Sequence, residues 1–96
     1  DSKVESFENL ELKGKTEIKF NVQNILDITD NPDTVLKIKG GDVDANGNKI
    51  TKVDLDHKWD RDSNYDASGF KGYSSKDQVD GHTIHIQIDD KIHTDL

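Results

Sequence analysis

Thr83-Ile84-His85-Ile86-Gln87-Ile88 alternates polar and apolar residues without a break. Isoleucines at every second position share one face only if the backbone is extended, because a helix would spread them around its circumference. The segment therefore predicts a strand with one buried face, and Asp80-Gly81 just before it predicts the tight turn of a hairpin. The same period of two recurs over residues 8–12, stopping at Gly14, and over 17–22, where Ile18, Phe20 and Val22 share a face. It returns over 34–39 with Leu36 and Ile38, over 50–55 with Val53 and Leu55, and briefly over 70–73. One stretch departs from it. Ile25 and Leu26 follow Val22 by three and four residues, with Ile28 three beyond Ile25, a spacing that suits a short helix over 22–28. Thr29-Asp30-Asn31-Pro32-Asp33 closes that helix, since Pro32 steers Asn31 away from helical backbone and the polar cluster favours a turn. Residues 56–69 read as irregular apart from Trp59 and Tyr65. The expected fold is mainly β, an antiparallel β-sandwich-like domain of six to eight strands with one short helix near residues 22–28, and with a hairpin joining the strands on either side of residues 41–49.

Ninety-six residues suit one domain, 1–96, with a modest core, and the expectation is of a piece excised from a much longer chain. Only 30% of residues are hydrophobic and the formal charge is -7, so the core is thin and the surface heavily solvated. With twenty acidic against thirteen basic residues and a single arginine, Arg61, the chain lacks the electrostatic footprint of a partner for nucleic acid or an anionic membrane. No apolar run approaches the roughly 20 residues of a membrane span. The absence of cysteine removes disulfides, thiolate metal sites and thiol chemistry.

Sixteen of the acidic residues are aspartate, and they gather in loops. Asp42-Val43-Asp44-Ala45-Asn46-Gly47-Asn48 places oxygen ligands at alternate positions before a glycine, as the start of a calcium loop does. The twelfth position is Val53 instead of a bidentate glutamate, so Asp54 or Asp56 would have to complete the shell with Asp42, Asp44, Asn46 and Asn48. The same letters also spell a solvated hairpin turn, with Asn46-Gly47 supplying positive φ. Asp60, Asp62, Asn64 and Asp66 form a second alternating set of candidate calcium ligands, without the glycine. Asp27, Asp30 and Asp33 are explained by helix-end and turn chemistry. His82 and His85 fall on opposite faces of a strand and do not make a zinc pair, while His57 and His93 read as surface groups. Trp59, Tyr65 and Tyr73 are the rings that would stack on a carbohydrate if they were exposed; rings in a chain with six aromatics more often belong to the core. No nucleophile elbow, phosphate-cradling glycine loop or apolar carboxylate pair is present, so the expected protein is not an enzyme.

Read in order, five stretches resemble one family. They are Glu8-Asn9-Leu10-Glu11-Leu12-Lys13-Gly14, Phe20-Asn21-Val22-Gln23-Asn24-Ile25-Leu26-Asp27-Ile28-Thr29-Asp30-Asn31, Val35-Leu36-Lys37-Ile38-Lys39-Gly40, Val53-Asp54-Leu55-Asp56-His57-Lys58-Trp59 and Val79-Asp80-Gly81-His82-Thr83-Ile84. Together they look like the β-rich module near the C-terminal ends of giant bacterial RTX adhesins, surface proteins exported by type I secretion. Two departures stand out: residues 41–49 lengthen a connection that the family makes in a few residues, and His57-Lys58 replace the glycine usual before the tryptophan. The resemblance implies a structural or spacer module of a large secreted adhesin on the bacterial cell surface, serving cell adhesion and biofilm formation. Its implied partners are neighbouring domains of the same adhesin, and its implied ion is calcium. In that picture the aspartate-rich chain repels itself in the low-calcium cytoplasm and is neutralised outside, so that folding follows export. The competing expectation is a module that binds carbohydrate, a protein or a host surface.

Overall fold

A computed structural model describes residues 7–29 and 34–96. The elements run β1 (Phe7–Leu12), β2 (Thr16–Lys19), α1 (Val22–Thr29), β3 (Val35–Gly40), β4 (Thr51–Asp54), β5 (Trp59–Arg61), a 3-10 turn (Ser63–Tyr65), β6 (Phe70–Val79), β7 (His82–Asp89) and β8 (His93–Asp95). The chain is thus mainly β with one helix. Of the turn expected over Thr29 to Asp33, Thr29 closes α1 and residues 30–33, with Asp30 and Asp33, lie outside the described residues.

The strands form a five-stranded sheet in the order β1-β3-β7-β6-β5 and a three-stranded sheet in the order β2-β4-β8. Their pairing corrects the antiparallel expectation. β1 with β3, β3 with β7, β2 with β4 and β4 with β8 are all parallel, and only β7 with β6 and β6 with β5 are antiparallel. Nor do β3 and β4 pair as a hairpin, since they belong to different sheets. Period two identifies a strand and its buried face without naming its neighbour, and here the neighbour is non-local.

One arrangement explains both sheets. β1-β2, β3-β4 and β7-β8 are three bent strands stacked side by side, each contributing its first half to the large sheet and its second half to the small one. The bends stack as well. Gly41 N–H donates to Leu12 O at 2.9 Å, Gly40 N–H to Asp89 Oδ2 at 3.1 Å, and Thr16 N–H to Ile50 O at 3.2 Å. Gly40 and Gly41 have φ of 108° and 92°, the left-handed side of backbone space that a residue with Cβ rarely enters. This pair turns the chain out of the large sheet, which is why the third and fourth strands part company.

Register puts Leu10, Ile38 and Ile88 in one row and Leu36, Ile86 and Tyr73 in the next, all on the inner face of the large sheet. Val53 and Leu55 meet them from the other sheet, Ile25 from α1, and Trp59 from β5, in a single core. α1 begins at a reciprocal cap, in which Asn24 N–H donates to Asn21 Oδ1 at 2.8 Å and Asn21 N–H to Asn24 Oδ1 at 3.0 Å. From β4 the chain reaches β5 through a tight turn closed by Lys58 N–H to Leu55 O at 3.0 Å, with Asp56 and His57 at φ of 53° and 59°. Those are the two left-handed positions of a primed turn, held here without a glycine. β5 and β8, three residues each, are too short to show a period, and β6 runs beyond the expected 70–73 to Val79 across an irregularity between Ser74 and Gln78.

Candidate functional site

The long connection, residues 41–50, folds back on itself. Val43 bridges Lys49, Gly47 N–H donates to Asp44 O at 3.0 Å, and Asp44 N–H donates to Asn48 O at 2.8 Å. Gly47 supplies the left-handed step at φ 83°, whereas Asn46 needs no positive φ. The Asp44 carboxylate points into this loop, accepting from Asn46 N–H at 2.8 Å and Asn48 N–H at 2.9 Å. These bonds, that from Asn48 first, hold its pKa below the ordinary aspartate value. Asp42 faces the other way: its carboxylate accepts from Gly14 N–H, and its own N–H donates to Thr51 Oγ1 at 3.0 Å, which in turn donates to Gly14 O at 2.7 Å. Asp42 therefore ties the bend of β3-β4 to the bend of β1-β2.

Asp54 and Asp56 do not join the hairpin. Asp54 lies three residues beyond Thr51 along β4, roughly 10 Å at strand rise, and its Oδ1 accepts from Asp56 N–H at 2.8 Å. Asp56 pairs with Lys19 at 3.7 Å. The set Asp42, Asp44, Asn46, Asn48, Asp54 and Asp56 is thus divided among three locations. Among the described residues no group of three or more histidine, aspartate or glutamate side chains is arranged to hold a metal ion. The residues do not fit a preformed cage with its six to eight oxygen ligands.

The second aspartate set sits in a strap that crosses the outer face of the large sheet. Asp62 caps the 3-10 turn through Asn64 N–H at 3.1 Å, Gln87 Nε2 donates to Tyr65 O at 2.7 Å, and Asp62 N–H donates to Gly72 O at 2.9 Å. A side chain at position 72 would strike the strap, since a Cβ there meets Tyr65 Cβ at 2.5 Å and Asp62 O at 2.6 Å. Asp66 receives Arg61 through both terminal guanidinium nitrogens, Nη1 and Nη2, at 2.6 and 2.9 Å, and Gly72 N–H at 2.8 Å. Arg61 and then Gly72 hold its carboxyl below the usual range. Asp60 lies 3.9 Å from Lys76. Each of these carboxylates has a protein partner, and Asn64 takes part through its backbone.

The strap also contains a polar network that the sequence did not announce. Ser74 Oγ donates to Asp62 Oδ2 at 2.5 Å and lies 2.7 Å from His85 Nδ1, and the His85 ring stacks on Tyr65 with centroids 3.8 Å apart and planes 10° from parallel. The hydroxyl has one proton, so donation to Asp62 leaves His85 Nδ1 as the donor to Ser74. In nucleophilic catalysis the imidazole must take the serine proton. Here the hydroxyl bridges carboxylate and imidazole, an order suited to fastening the strap to β6 and β7. Ser74 is the first cause of the lowered Asp62 pKa. Only the tertiary pairing of Ser74 with His85 across the β6-β7 ladder brings these residues together, and their spacing in sequence carries no signal.

The three lowered carboxyls predict an acid-sensitive fold. A group whose pKa is lower in the folded state stabilises the protein above its unfolded value, near about 3.9, and that contribution is lost as pH falls through the folded value. The urea midpoint is expected to drop from about pH 5 to about pH 2, and less steeply in Asp66→Asn, where one of the shifted groups is gone. A flat midpoint across that window would contradict the assignment.

The candidate carbohydrate platform does not form. Trp59 is 1% exposed and Tyr73 5%, both packed in the core, and Tyr65 gives a face of its ring to His85. Among the described residues no helix is long and apolar enough to cross a membrane. Comparison with family models, with curated proteins and with solved structures finds no match to this chain.

Proposed function

We propose that this chain is a structural or spacer module of a large secreted bacterial surface adhesin of the RTX type, joined to neighbouring domains of the same protein. One observation carries the reading: at both aspartate-rich loops the carboxylates are bonded to the chain's own amides, hydroxyls and cations. Side chains used this way hold bends and straps in position, which is the work of a spacer. The order of elements supports it too, since β1, α1, β3, β4 and the β6-β7 hairpin fall on the stretches that carry the family resemblance. The sandwich-like description belongs to the same proposal: two sheets share one core without closing on each other.

Calcium enters as a counter-ion to crowded carboxylates. Asp54 and Asp95 are direct neighbours in register, and Asp89 and Asp90 are adjacent in sequence in a protein of charge -7. A divalent cation bound to the folded form adds RT ln(1 + [L]/Kd) to stability, about 2.7 kcal/mol at 100 times Kd. The melting temperature is expected to be higher in millimolar CaCl2 than in EDTA at equal ionic strength, and superimposable melts would remove calcium from the proposal while leaving the spacer role to be tested by pulling or sedimentation of tandem modules.

A further inference from the structure

We propose that Asn46-Gly47, at the tip of the 41–50 hairpin, is a site of spontaneous chain modification, where Asn46 is converted to aspartate and isoaspartate. Two structural facts single it out. Asn46 is exposed and, among the described residues, its side-chain amide makes no hydrogen bond. Its neighbour has no Cβ, and the space around Gly47 is open, with nothing within 4 Å of where a Cβ would stand. Gly47 thus has neither a side chain of its own nor a packed neighbour beside its Cα to resist the backbone rotation that brings its nitrogen to the Asn46 side-chain carbon.

The reaction needs only water and a solvent base. The Gly47 amide gives its proton to the base, its nitrogen attacks Asn46 Cγ and the new N–Cγ bond forms; the Cγ–Nδ2 bond then breaks as the protonated base returns its proton to Nδ2, releasing ammonia. Water then opens the five-membered imide at either carbonyl, giving aspartate or, with the chain rerouted through Cγ, isoaspartate. One barrier is built into the hairpin, because Gly47 N–H donates to Asp44 O at 3.0 Å and must leave that bond first. A solvent-exposed loop tip is where local opening costs least. The other asparagines of the described residues lack this combination: Asn48 precedes Lys49 and holds Asp44 through its side chain at 3.5 Å, Asn21 and Asn24 cap α1 through theirs, and Asn9 and Asn64 precede Leu10 and Tyr65.

The product changes the loop that carries it. Either outcome adds a negative charge next to Asp44, and isoaspartate lengthens the backbone by one atom between the two amides that the Asp44 carboxylate holds. The test is to age the full chain at mildly alkaline pH and follow it by intact mass, by peptide mapping, and by an isoaspartyl methyltransferase assay, alongside Asn46→Gln and Asn48→Gln. The expected result is a mass gain of one amide-to-acid conversion, mapped to residue 46, methyltransferase-positive, unchanged in Asn48→Gln and lost in Asn46→Gln. Hydrogen exchange of the aged chain should show loss of protection at the Asn48 amide. A chain that stays unmodified while a denatured control reacts, or that reacts first at another asparagine, overturns the proposal.

Discussion

Trp59→Ala is expected to destabilise the fold by about 3–5 kcal/mol, the range for removing a large aromatic from a core. Trp59 is the chain's one tryptophan, is 1% exposed, and is the one residue of the three-residue strand β5 that is buried. A domain of this size has about 5–15 kcal/mol of stability in all, so a large share depends on one ring. At about 4–8 °C per kcal/mol the melting temperature should fall by more than ~12 °C. Tryptophan fluorescence disappears with the substitution, so circular dichroism or calorimetry must follow it. The indole Nε1 is buried and has no hydrogen-bond partner among the described residues, a burden of about 1–3 kcal/mol. Trp59→Phe removes that burden while keeping most of the volume, and should cost much less than the alanine variant. A shift below about 1 kcal/mol in Trp59→Ala would mean that the ring is not in the core.

Gly40→Ala should be nearly as damaging, for a different reason. A Cβ at position 40 would stand 2.2 Å from the Leu12 carbonyl oxygen, a backbone atom in the neighbouring parallel strand, and φ there is 108°. Backbone strain of about 1–3 kcal/mol adds to overpacking of about 1–3 kcal/mol. Relief requires prising β1 from β3 at the bend, where Gly41 N–H bonds Leu12 O. Gly47→Ala is the control, with φ of 83° but nothing within 4 Å, and it should lose only the left-handed penalty of about 1–2 kcal/mol. Equal losses in urea titrations of the two variants would show that the bends do not stack closely. The ranking expected from close packing is Gly40 well above Gly47.

Strand positions were legible because alternation is a local property. Ile84, Ile86 and Ile88 had to share a face whatever lay beside them, and they do, each almost fully buried. The helix was legible for the same reason, its apolar spacing bringing Ile25 into the core. Partners were not legible: nothing in Leu36-Lys37-Ile38 says that β3 lies between β1 and β7 in parallel instead of turning back on β4. At the loops, the alternating aspartates looked like metal ligands because oxygen ligands and turn-forming acceptors are the same residues. What separates the two uses is where each carboxylate points, and Asp42 points across the bend at Gly14, twenty-eight positions away in sequence.

The longer strands, the helix, the buried isoleucine face and the turns at Asp80-Gly81 and Gly47 follow from side-chain period and from the backbone freedom of individual residues. The parallel stacking of three bent strands, the two short strands β5 and β8, and the network of Asp62, Ser74 and His85 were set by the tertiary structure, which also placed Trp59 in the core, as aromatic composition suggested. Those outcomes rest on contacts between residues far apart in the chain, whose energies no local window contains.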